Sequence, residues 1–78
     1  MIRYRNTLAR RVTLARENSR LSQKVLAAKI RLKGHLLTQK AISSIETGAR
    51  VVPDYEIPLL AEALEVDPLW LLGLSDKP

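Results

Sequence analysis

Aliphatic residues recur three and four positions apart along almost the whole chain, and this spacing constrains the fold more than any other feature of the sequence. Leu8, Val12 and Ala15 form one stripe; Leu26, Ala27 and Ile30 a second; Ile42 and Ile45 a third; Ile57, Leu60, Ala61 and Leu64 a fourth. A helix turns once every 3.6 residues, so side chains at these intervals share a face that packing buries. No run of alternating β-branched residues bounded by turn residues is present, and strands would need one. The chain therefore reads as four or five short helices. Tyr4, Tyr55 and Trp70 are its only aromatic residues, so the core must be built from Leu, Ile, Val and Ala. With 78 residues there is room for one domain of modest stability, spanning 1–78 with a core over about 6–73.

Local punctuation sets the expected helix ends. The first helix is expected from Arg5 to Ser19, where Asn18-Ser19-Arg20 breaks the pattern. Ser22 opens the second, because its hydroxyl accepts a bond from an otherwise unpaired backbone N–H. Val25 stands where a capping box would need Glu or Gln, and Gly34 supplies the stop. Thr38 opens the third helix and Gly48 closes it. Its β-branched and hydroxyl residues are poor helix formers, so packing must hold it. Asp54, following Pro53, is expected to cap a fourth helix that runs to Leu64. Pro58 lies near enough to its start to leave it unbroken. Asp67 and Pro68 open a last short helix carrying Leu69, Trp70, Leu71 and Leu72.

Several function classes are disfavoured at this point. There is no cysteine, hence no disulfide framework and no thiolate metal site, which fits a reducing cytoplasm. His35 is the one histidine, and no second ligand of its kind accompanies it. Glu62, Glu65 and Asp67 read as a solvated acidic face, because no glycine-containing ligand loop frames them. No nucleophile with a positioned base and no phosphate-cradling glycine loop appears, so neither an enzyme nor a bound cofactor is expected. The opening MIRYRNTLARR lacks the apolar run of a signal peptide, and the longest apolar patch, Leu69 to Leu74, is too short to span a bilayer. Scarce aromatics disfavour single-stranded RNA, whose bases need stacking partners.

Charge is divided sharply. Residues 1–50 carry twelve Lys and Arg against two acids, a net +10; residues 51–78 carry one base against six acids, a net −5. The first part suits a polyanion, and the second faces elsewhere. Within the basic part lie the two short helices that open at Ser22 and Thr38. The second of them presents Lys40, Ser43, Ser44 and Thr47 opposite its isoleucines. The major groove of DNA admits one α-helix whose exposed side chains reach base edges, and this arrangement meets that requirement.

The order Leu21-Ser22-Gln23, Leu26-Ala27, then Ile42-Ser43-Ser44-Ile45-Glu46-Thr47-Gly48-Ala49-Arg50 resembles the helix-turn-helix of the phage repressor/Cro-like (XRE) family. Leu60-Ala61-Glu62-Ala63-Leu64-Glu65-Val66 and Leu71-Leu72 look like that family's closing helices, so the resemblance runs from about Leu8 to Leu72. It implies an all-α, compact five-helix, lambda-repressor-like domain whose helices 2 and 3 form the helix-turn-helix. The implied partner is double-stranded operator DNA, and the implied role is a transcriptional repressor in a bacterial or phage-infected cytoplasm. By position, Gln39, Lys40, Ser43 and Ser44 would contact bases. Arg16, Ser22, Gln23, Thr38, Thr47 and Arg50 would contact phosphates. Arg16 and Glu46 would form a structural ion pair, and Ala27 would let the two helices pack closely. One departure stands out: Arg31 to Leu37 is about five residues longer than the family's tight turn, which reads as one extra turn on the second helix plus a longer loop.

The Leu/Trp cluster near the end of the chain suggests an interface. A homodimer through Trp70 and Leu74 would match palindromic half-sites. A second class remains open: a protein-interaction module such as the antitoxin of a toxin pair, with the acidic part holding a protein partner.

Overall fold

The computed structural model describes residues 2–78, with side chains described from Thr7 onward; Met1, where the expected domain begins, lies outside the described residues. Five helices follow in chain order: α1 Ile2–Asn18, α2 Gln23–Leu32, α3 Gln39–Glu46, α4 Glu56–Leu64 and α5 Pro68–Leu71. No strand occurs among the described residues. The architecture is the all-α, five-helix one expected, with α2 and α3 as the helix-turn-helix pair.

The stripes read from the sequence converge on one core. Val12, Leu26, Ile30, Ile42, Ile45, Leu60 and Leu71 are fully buried there, joined by Leu8, Ala15, Leu37, Ile57, Ala61, Leu64 and Trp70. α1 lies against α3, α4 and α5, while α2 packs on α3 and α4. α3 is thus held from two sides through its isoleucines, each worth roughly 1.5–3 kcal/mol when fully buried. That supplies what its poor intrinsic propensity lacks. The Cα radius of gyration is 11.1 Å, close to the ~11.5 Å of a compact chain of this length, so no helix stands apart as an arm.

Helix ends follow local chemistry at most positions. The Ser22 hydroxyl accepts from the Val25 N–H at 3.0 Å, and the Thr38 hydroxyl from the Ala41 N–H at 3.1 Å. Asp67 caps α5 by accepting from the Leu69 N–H at 2.8 Å. Gly34 and Gly48 take positive φ just past α2 and α3. α1 begins three residues earlier than expected and ends one residue earlier, at Asn18. It closes on Arg20, held left-handed at φ 59° while the Leu21 N–H reaches back to the Arg16 carbonyl.

The start of α4 differs from expectation. Asp54 does not cap it. The helix begins at Glu56, preceded by Tyr55, and no side chain caps it. Instead the Glu56 N–H bonds the Pro53 carbonyl at 3.0 Å and the Ile57 N–H bonds the Asp54 carbonyl at 3.2 Å, a tight turn that leads into the helix. The same turn places Glu56 inward, in an ion pair with Arg50 six residues before it. Pro58 then falls third in the helix, among the N–H positions that have no intrahelical partner in any case.

Candidate nucleic-acid interface

The outer face of α3 is built by exclusion. Ile42 and Ile45 point into the core, which turns Lys40, Ser43, Ser44 and Thr47 outward at intervals of three and four. Gln39 and Lys40 are exposed; Ser43 and Ser44 are half-buried, low on the helix flank. None of these four side chains has a hydrogen-bond partner or ion pair among the described residues. Gln presents one amide donor and one carbonyl acceptor, which match adenine in the major groove; Lys donates to guanine. At 1.5 Å per residue α3 is about 12 Å long, and the major groove is about 12 Å wide.

The stretch of chain that leads to α3 is rich in bases. Between Glu17 and Glu46 the chain has no acidic residue but six bases: Arg20, Lys24, Lys29, Arg31, Lys33 and Lys40. Lys29 pairs with Glu65 at 3.2 Å, and the other five form no ion pair among the described residues. Apart from Lys40 on α3 itself, these are bases of the kind that can neutralise phosphates and supply affinity without reading sequence.

The C-terminal end of α3 is fixed by a network that crosses three helices. Glu46 accepts from Arg16 Nε at 2.6 Å and Nη2 at 3.0 Å, and from the Gln23 side-chain amide at 3.0 Å. Arg16 also donates to the Leu21 carbonyl at 2.8 Å, so α1, the α1–α2 turn, α2 and α3 meet at one carboxylate. Burial pushes the Glu46 carboxyl upward, but the bonds from Arg16 and Gln23 outweigh it and hold the group below the usual carboxylate range. The bond to Glu46 likewise raises Arg16, against the smaller effect of its own burial.

A second pair lies just beyond the helix. Arg50 Nη2 donates to Glu56 Oε2 at 2.6 Å and Nε reaches Oε1 at 3.4 Å. Glu56 is only 4 % exposed, the most deeply buried charged residue among those described.

These contacts sort the residues that the family resemblance assigns to phosphate. In capping their helices, Ser22 and Thr38 use an oxygen lone pair, and their hydroxyl protons stay available to a phosphate oxygen. Thr47 spends its proton on the Ser44 carbonyl at 3.1 Å. Gln23 keeps one amide proton, Arg50 keeps the Nη1 side of its guanidinium, and Arg16 faces inward.

Trp70 does not stand on the surface beside Leu74. Its ring is buried at 7 % exposure under Arg11, whose guanidinium carbon lies 4.9 Å from the ring centroid. Arg11 Nη1 also donates to the carbonyls of Trp70 at 2.7 Å and Ser75 at 3.0 Å, strapping the end of the chain to α1. Leu69 and Leu74 are the exposed members of that cluster, at 50 % and 61 %.

Arg11 and Glu56 escape sequence reasoning. The only local signal for Glu56 is an opposite charge six residues after Arg50 across a proline-containing turn, and for Arg11 there is none.

Among the described residues no three His, Cys, Asp or Glu come together as a metal site, and no helix is long and apolar enough to cross a membrane. No curated protein and no solved structure matched the chain. The family model of a helix-turn-helix domain matches residues 7–69. Capped α2 and α3, the buried isoleucine pair and the polar outer face all lie inside that span, and the chain belongs to the helix-turn-helix domain family of DNA-binding proteins.

Proposed function

We propose that this chain is a sequence-specific double-stranded-DNA-binding transcriptional repressor. The observation that carries the reading is the outer face of α3, where Gln39 and Lys40 stand exposed and unpartnered over a fully buried Ile42/Ile45 pair. Gln39 and Lys40 read base edges, with Ser43 and Ser44 closing on the groove floor. Ser22, Thr38 and the unpaired bases hold phosphates; Gln23, Thr47 and Arg50 lie close enough in the chain to join them after local rearrangement. Arg16 is the least available, since its guanidinium already serves Glu46 and Leu21. Repression follows from occupancy: a helix-turn-helix domain seated on the duplex blocks access to it. A cysteine-free chain suits the bacterial or phage-infected cytoplasm.

The active species in this reading is a homodimer. Leu69 and Leu74 supply the exposed apolar surface, with the buried Trp70 as its backing rather than its contact. Selection of bound sequences from a random duplex pool tests both claims. The expected outcome is a palindrome whose half-sites lie about 10–10.5 base pairs apart, one turn of the double helix. Recovery of unenriched sequences would defeat sequence-specific reading. A single asymmetric site, bound one to one in sedimentation, would defeat the dimer.

A further inference from the structure

The long connection between α2 and α3 has entered so far only through the charge of its bases, yet it is not slack. The Lys33 and His35 N–H groups bond the Ile30 carbonyl at 3.1 and 3.3 Å, and the Gly34 N–H bonds that of Arg31 at 2.9 Å. Gly34 sits at φ +90° with open space where a Cβ would stand, so glycine is needed there for backbone shape alone. Leu37 is buried and anchors the far end. Between these fixed points the side chains turn outward. Leu32 and Leu36 are 88 % and 79 % exposed, the two most exposed large apolar residues among those described. Arg31, Lys33 and His35 are exposed beside them and form no ion pair among the described residues.

Position gives this surface a partner. The major groove is bounded by two sugar-phosphate strands, and with Gln39 and Lys40 of the first turn of α3 in the groove the chain just before them lies toward one of those strands. Lys33 lies five residues before Thr38, hence within about 18 Å of it along even a fully extended chain. That stretch of chain carries positive charge, no acid and two unburied leucines. A DNA strand offers a matching pair of surfaces, anionic phosphates and the apolar carbon faces of its deoxyriboses. We propose that the α2–α3 connection is a second DNA-contacting element: Lys33 pairs with a phosphate flanking the base pairs read by α3, and Leu36 rests on the adjoining deoxyribose. The inference rests on α3 being the reading helix.

The test uses the full chain and a duplex recovered by the selection above, with Lys33→Ala, Leu36→Ser and Lys40→Ala as variants. All three positions are exposed, and circular dichroism checks that the helices persist. Lys33→Ala is expected to lower the slope of log affinity against log salt by about 0.9 and leave the selected sequence unchanged. Leu36→Ser is expected to keep the slope, weaken binding about fivefold through lost apolar contact, and open deoxyriboses next to the recognised base pairs to hydroxyl-radical cleavage. If Lys33→Ala and Leu36→Ser both bind and footprint like the parent while Lys40→Ala relaxes preference, the connection is no DNA contact and α3 keeps its role. If the parent chain binds no duplex in a salt-dependent way, both readings fall together. Loss of self-association in Leu36→Ser with an unchanged footprint would assign the leucine to a protein interface and overturn the proposal.

Discussion

The two ends of α3 are held by opposite means. At its C-terminal end Glu46 receives bonds from Arg16 and Gln23, and Arg50 just beyond grips the buried Glu56. At its N-terminal end one hydroxyl, that of Thr38, caps the backbone, and the exposed side chains of Gln39 and Lys40 form no hydrogen bond or ion pair among the described residues. One end spends its polar groups on the fold and the other keeps them free. A helix that must carry donors and acceptors into a groove needs both: an unoccupied tip, and a root stiff enough to aim it.

The largest effect should come from the root. Arg16→Ala leaves the Glu46 carboxylate buried without its main partner and should cost about 3–5 kcal/mol in urea denaturation. The same pair sets an acid limit. Glu46 is held below its ordinary value in the folded chain, so its contribution is complete above the unfolded value, about 4.3, and is lost as pH falls through the lower folded one. Glu46→Gln should flatten the acid side of the stability profile; an unchanged profile would mean that other carboxylates dominate there.

Next comes the pair beyond the helix. Arg50→Ala strands Glu56 in the core and should cost about 1–3 kcal/mol. If Arg50 served DNA alone, its loss would move the salt slope and leave stability untouched, and the contrast between root and tip would fail. At the tip, Thr38→Ala removes a cap and should cost about 1 kcal/mol. The smallest change in stability belongs to Lys40→Ala, within about 0.5 kcal/mol. That variant should nonetheless lose about 1–3 kcal/mol of preference at one base pair, read by competition between single-position operator variants. A Lys40→Ala chain that unfolds readily would show the tip to be part of the fold after all.

Much of this molecule is legible without coordinates. The isoleucines of α3, the serine and threonine that open α2 and α3, the glycines that close them and the Asp67-Pro68 start of α5 all act within one or two helical turns. What they specify is local, so spacing along the chain is enough to read them. The polar face of α3 follows from the same periodicity. The start of α4 is not legible, because Asp54 has the chemistry of a cap while the backbone turn from Pro53 to Ile57 starts the helix without a side-chain cap.

Propensity, capping and periodicity all operate over a few residues, so the helices, their inward faces and the gathering of positive charge can be read along the chain. Which polar groups remain free depends instead on how the helices pack together. Arg16 finds Glu46 thirty positions away, Arg11 reaches Trp70 across fifty-nine, and the Trp70 ring is buried beneath it. A guanidinium looks the same in sequence whether it is destined for a phosphate or a buried carboxylate. The choice is made by what packing brings within about 3 Å of it, where a hydrogen bond forms and the donor is no longer available.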